Sequence, residues 1–225
     1  MKGQVPGAMD RLAWEAALDA LGEAVFGGLA GARRAAPLLA RFEAEVGAYA
    51  GLDDGYEVLQ AARVDWALCD AEVPGGGPGE TWALRAATGR VPGVEPGPHA
   101  WALATSQVGL FEVWPGTPLL LRDRLRGLVV RVPEPAPWLG ERGRAAAALW
   151  EVRVVLRPDG ACLCRPPIEY PLAIAPLLQR AHERHWREPV RGVELMRLRR
   201  QRLKWSRAAA LRRPVDPLSF FGEAT

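Results

Sequence analysis

A chain of 225 residues with 49% apolar and 24% charged residues can bury a core without staples, which excludes a wholly disordered chain and a disulfide-scaffolded miniprotein. The net charge of +3 hides an asymmetry: residues 1–179 carry 17 Lys and Arg against 21 Asp and Glu, and residues 180–225 carry 12 against 5. Such a split points to a basic C-terminal segment with a partner of its own.

Lys2 and Lys204 are the only lysines and asparagine is absent. With so much Ala, Gly and Pro this is the bias of a GC-rich, bacterial genome, and part of the arginine excess follows from it. Cys69, Cys162 and Cys164 are too few for a disulfide framework, so a reducing cytoplasm is expected. The N-terminus does not fit a signal peptide, and no segment has the length and apolarity of a membrane span.

In chain order, residues 1–8 read as a lead-in and Asp10 as a helix cap. Trp14, Leu18, Leu21 and Val25 form one apolar face at helical spacing. Gly27, Gly28 and Gly31 predict its end, and a second helix begins near Arg33 or Pro37 with Leu38, Phe42, Val46 and Tyr49 on its face. Asp53 or Asp54 is expected to cap a third helix, about 56–70, with Leu59 and Trp66 inward. Pro74 to Gly79 is a loop. Short helices follow over about 80–87 and 99–107.

The period then changes to two. Leu110 to Trp114, Leu119 to Leu125, Leu128 to Val132, Ala146 to Leu156 and Ala161 to Arg165 read as strands. Arg157-Pro-Asp-Gly160 is a hairpin turn. In the long strand Trp150, Val152, Val154 and Leu156 should face inward, Glu151 and Arg153 outward. Helices over about 171–186 and 193–211 follow, before a tail broken by Pro214 and Pro217. The expected fold class is therefore α+β: a helical N-terminal region (1–100), a small antiparallel sheet or barrel (101–170), C-terminal helices with a basic segment (171–213) and a tail (214–225).

Five pieces of the stretch from Val58 to Arg165 carry a resemblance: Asp65-Trp-Ala-Leu-Cys-Asp70; Gly79-Glu-Thr81; Ser106 to Val113; Leu119 to Leu125 with Gly127; and Leu149 to Val155. In order and spacing they resemble a family of uncharacterised bacterial proteins, some of which carry a C-terminal SEC-C zinc-binding motif. The resemblance implies helices leading into a small β unit and brings no catalytic residues. The SEC-C motif itself is absent here, because nothing after Cys164 supplies its second half.

No catalytic motif stands out. The loop 74–81 lacks the Lys of a phosphate loop, and Glu80 would repel phosphate. Cys162 and Cys164 with His182 and His185 are the one conceivable zinc set, but both spacings are a residue short of the common ones. Small strand hydrophobes explain the two cysteines better, so neither a metal nor a cofactor is expected. Ser106 lies at the helix-to-strand junction, where capping is its ordinary role.

The strongest signal is basic. Arg197, Arg199, Arg200, Arg202, Lys204, Arg207, Arg212 and Arg213 crowd one segment with Trp205 among them. Clustered cations release counterions from phosphates, and Trp stacks on bases. The expectation is a non-enzymatic binding or adaptor protein whose basic segment contacts nucleic acid or a ribonucleoprotein. One alternative is a protein-interaction module anchored by Leu218, Phe220 and Phe221; another is an enzyme with an unrecognised site. No membrane partner is expected.

Overall fold

A computed structural model describes the backbone of residues 12–116, 118–133, 147–185, 192–211 and 215–222, and the side chains of these except residues 12, 13, 181–185 and 192–194. The fold is α+β, as its sequence pattern predicts. Asp10 lies outside the described residues.

Helix α1 (Leu12–Phe26) buries Trp14, Leu18, Leu21 and Val25, the face read from the sequence. Helix α2 (Gly28–Val46) starts earlier than expected and runs through Gly31 and Pro37. The chain turns so tightly at Gly27 that a Cβ on Gly31 would sit 2.2 Å from the Phe26 carbonyl carbon. The glycines do end α1, at Phe26, and they also permit a close helix-to-helix corner. Helix α3 (Tyr56–Cys69) packs Trp66 on Phe42, ring centroids 5.5 Å apart. Its N-cap is Gly55 in the left-handed region, not Asp53 or Asp54. Those two acids face the C-terminal helix.

The loop before helix α4 (Trp82–Ala87) is filled by its own carboxylate. Glu80 Oε2 accepts from Gly77 N at 3.2 Å and Arg85 Nη2 at 2.8 Å, and Oε1 meets Arg90. Thr81 caps α4 by accepting from Leu84 N at 3.1 Å. The hydrogen bond from Arg85 is the main reason the Glu80 carboxyl is lowered from 4.5 to about 2. A depressed carboxyl stabilises the fold fully above its unfolded value and loses that contribution as pH falls through the folded one. The stability difference between wild type and Glu80→Gln should therefore be constant above pH ~5 and shrink between about 4.5 and 2. Urea unfolding of both proteins across that range checks it, and a difference that stays constant to the acid end rules the loop's ion pairs out.

After helix α5 (Pro98–Ala104) come β1 (Gln107–Trp114), β2 (Leu119–Asp123), β3 (Val129–Val132), β4 (Ala148–Arg157), β5 (Gly160–Leu163) and β6 (Ile168–Tyr170). They form one antiparallel sheet in the order β3-β2-β1-β4-β5. The far edge of β4 is shared: β5 pairs with residues 154–157 and β6 with residues 149–151. The sheet curls until β5 reaches β3. A Cβ on Gly160, whose φ is 141°, would lie 2.5 Å from the Arg131 carbonyl oxygen, so glycine is required where the barrel nearly closes.

Phe111, Val113, Leu119, Leu121, Val130, Val132, Trp150, Val152 and Val154 fill the barrel with Ala161 and Leu163. Strand β4 alternates as expected, except that Leu156 is exposed. The face that reads as outward is not solvated, however. Helices cover it, and Glu151 and Arg153 are only 2% and 6% exposed. A short 3₁₀ turn (Leu172–Ile174) leads to helices α6 (Ala175–His185) and α7 (Gly192–Ala210), and the last turn is α8 (Leu218–Phe221). Among the described residues no helix is long and apolar enough to cross a membrane.

Candidate nucleic-acid interface

The arginines of α7 are largely committed inside the chain. Leu195, Arg199, Arg202 and Ser206, spaced i, i+4, i+7 and i+11, are all buried, the same periodicity that an apolar stripe would show. Arg199 is 3% exposed; its Nε donates to Glu151 Oε1 at 2.7 Å, and its guanidinium lies 5.3 Å from the Phe42 ring centre. Tyr170 donates to the other Glu151 oxygen at 2.8 Å. Burial lowers the Arg199 pKa, but the charge and hydrogen bond of Glu151, with the nearby Tyr170 and Asp70, together outweigh it and the guanidinium is held raised. Arg202 donates to the Glu169 carbonyl at 2.7 Å and to Asp54 at 3.1 Å.

Two further arginines supply what α2 lacks. That helix has no basic residue in its last turn, where carbonyls are left without intrahelical donors. Arg200 reaches Ala44 O at 2.6 Å, and Arg207 reaches Ala48 O at 2.8 Å just beyond the helix. Arg207 also holds Asp53 in a two-point ion pair at 2.7 and 2.8 Å. Trp205 is half-buried against the apolar cluster beneath α7. Arg197 and Lys204 are exposed. Arg212 and Arg213 lie outside the described residues. Of the tail residues, Phe221 is 1% exposed and packs on Tyr170 with ring centroids 6.1 Å apart, Phe220 is partly buried, and Leu218 is 41% exposed.

The same buried face carries a second charge cluster. Arg153 bonds Asp70, and its Nη1 donates to Ser106 Oγ at 3.0 Å. Ser106 in turn donates to Leu103 O at 2.7 Å. Arg165 reaches Asp65 at 2.9 Å and Asp19 at 2.5 Å. Burial raises the Asp65 carboxyl, opposed by the charges of Arg165 and Arg153. A cavity of about 30 Å³ between Asp65, Arg153, Arg165, Glu151 and Arg199 has room for a water. Burial pushes the Cys69 thiol up to about 12 and raises Cys164 as well, so neither is a ready thiolate nucleophile. Cys162 and Cys164 pack in the helical core. The side chains of His182 and His185 lie outside the described ones. Among the described residues no group of three His, Cys, Asp or Glu is placed to hold a metal.

A different surface keeps its cations unspent. On the outer face of β1–β3, cross-strand pairing sets Trp114, Leu120 and Arg131 in one row and Glu112, Arg122 and Val129 in the next. Trp114 is 40% exposed with the Arg122 guanidinium 6.0 Å from its ring centre. Glu112, the one acid of these rows, is paired with Arg124. Among the described residues neither Arg122 nor Arg131 has a carboxylate partner. The sequence held a signal for this face: Trp114 falls on the polar phase of a strand whose other phase is Phe111 and Val113, so a large aromatic stands where a charged residue would serve solubility.

No protein-family model, curated protein or solved structure matches this chain.

Proposed function

We propose that this chain is a non-enzymatic binding protein that holds single-stranded nucleic acid against the outer face of β1–β3. The observation that carries the reading is the exposed Trp114 with Arg122 stacked on it and Arg131 in the same row as Trp114, two guanidiniums with no carboxylate partner among the described residues. An aromatic plane gives bases a stacking surface whatever their identity, and the flanking cations meet phosphates. Helix α7 serves chiefly as a brace against the outer face of β4, beside this surface, its exposed Arg197 and Lys204 adding long-range attraction. A reducing cytoplasm suits the three free thiols.

Two neutralised phosphates at about 0.7 each predict a log affinity against log salt slope of about −1.4 for oligo-dT or oligo-U. Trp114→Ala should cost about 1–3 kcal/mol of binding and leave that slope unchanged, while Arg122→Ala should reduce it by about 0.7. Fluorescence anisotropy across a salt series measures both. Wild-type affinity in Trp114→Ala, or no binding at low salt, rejects the proposal.

A further inference from the structure

A separate cleft lies away from the Trp114 row, where α2, the end of α3, the start of β1, the β2–β3 turn and α7 converge. Its volume is about 530 Å³, within the range of sites that enclose small molecules. Three arginines line it, Arg41, Arg126 and Arg199, together with three carboxylates, Glu45, Asp70 and Glu72. Charges of both signs facing one space favour a ligand that carries both signs itself.

The hydrogen-bond inventory supports this. Arg199 is nine-tenths buried, yet among the described residues its Nη1 meets only the Met196 sulfur, at 3.4 Å, and a thioether is a weak acceptor. Arg199 and Met196 both line the cleft, so that under-used donor lies at its wall. Arg126 spends Nη1 on Val108 O at 3.1 Å and Asp123 at 3.0 Å; its Nη2 has no acceptor among the described residues. On the acidic side, Asp70 gives one oxygen to Arg153, and Glu72 gives one to Gly79 N at 2.9 Å. Among the described residues each keeps the other oxygen without a hydrogen-bond partner. Trp66, Leu125 and Met196 supply apolar wall between the two sets.

We infer that the cleft binds a small zwitterion of the amino-acid or short-peptide class. Its carboxylate meets Arg126 and Arg199, its ammonium meets Asp70 and Glu72, and an apolar side chain rests on Trp66. A guanidinium–carboxylate contact of this kind is a charge-assisted hydrogen bond in a partly desolvated site. This site is separate from the sheet face, and neither reading depends on the other.

The test is calorimetric titration of the full chain with Leu-Gly-Leu, its N-acetyl form and its C-terminal amide. The free tripeptide should bind saturably, and each capped form should bind at least about tenfold more weakly, as one charge pair is lost. Arg126→Ala and Glu72→Gln, both at the cleft's rim, should each weaken the free tripeptide by a similar factor while keeping the wild-type circular dichroism. A loss of the wild-type spectrum in Arg126→Ala leaves Glu72→Gln to decide. No saturable heat with the free tripeptide overturns the inference, as do capped forms that bind equally well. Variants that bind as wild type while capping matters also overturn it, because the ligand then sits elsewhere.

Discussion

Glu151→Ala is expected to destabilise the fold by about 3–5 kcal/mol, the range for breaking one half of a buried ion pair. Glu151 is 2% exposed, and it is the acceptor for both Arg199 and Tyr170. Its removal leaves a guanidinium and a phenol without their acceptor in a site that water barely reaches. Arg199→Ala should cost a similar amount for the mirror reason. If the penalty is that of an unpaired charge, removing every member of the set should recover most of it. The triple variant Glu151→Leu, Arg199→Met, Tyr170→Phe should therefore come within about 1–2 kcal/mol of wild type, since apolar replacements of buried pairs are often neutral. Equilibrium urea unfolding measures all three. A Glu151→Ala protein as stable as wild type would show that α7 is not held to β4 through this pair.

Phe221→Ala should also cost about 3–5 kcal/mol, as for other fully buried phenylalanines. The side chain is 1% exposed among Tyr170, Ile174, Leu195 and Leu198, and it closes the end of the apolar layer between α7 and the sheet. A phenylalanine kept free to anchor in a partner would show little change in thermal stability on truncation, so the midpoint of thermal unfolding separates the two roles directly.

Much of the architecture was legible in the sequence because burial there follows period. The Trp14-Leu18-Leu21-Val25 face and the Phe111/Val113 and Trp150/Val152/Val154 alternations map onto the observed cores. Strand β6 was not legible, since Ile168 to Tyr170 is three residues after a Pro-Pro pair and carries no period. The start of α2 was misread because glycine serves both to end a helix and to let two helices meet closely. The deepest misreading concerned charge. A sequence shows that Arg199, Arg202, Glu151 and Arg153 are ionic, and ionic residues are nearly always at the surface. Only the pairing of α7 with the outer face of β4 shows them to be each other's solvation. One clue did exist: Arg199 and Arg202 fall in register with Leu195 at helical spacing, and Glu151 in register with Leu149 on an alternating strand. The sheet-face candidates were not singled out, because cross-strand register, which sets Trp114 beside Arg131 across Leu120, is not written in any one segment.

The proposed arrangement has nucleic acid met on the sheet face and α7 as a brace beside it. Anisotropy titration of a labelled oligo-U at low salt against three proteins tests this most directly: wild type, Arg122→Glu with Arg131→Glu, and Arg197→Glu with Lys204→Glu. The sheet-face pair should lose at least about tenfold in affinity, since it takes away both unpaired phosphate contacts, and the helix pair should lose only about two- to threefold through weakened long-range attraction. The reverse order, or a wild-type protein that binds no oligonucleotide, would contradict the account.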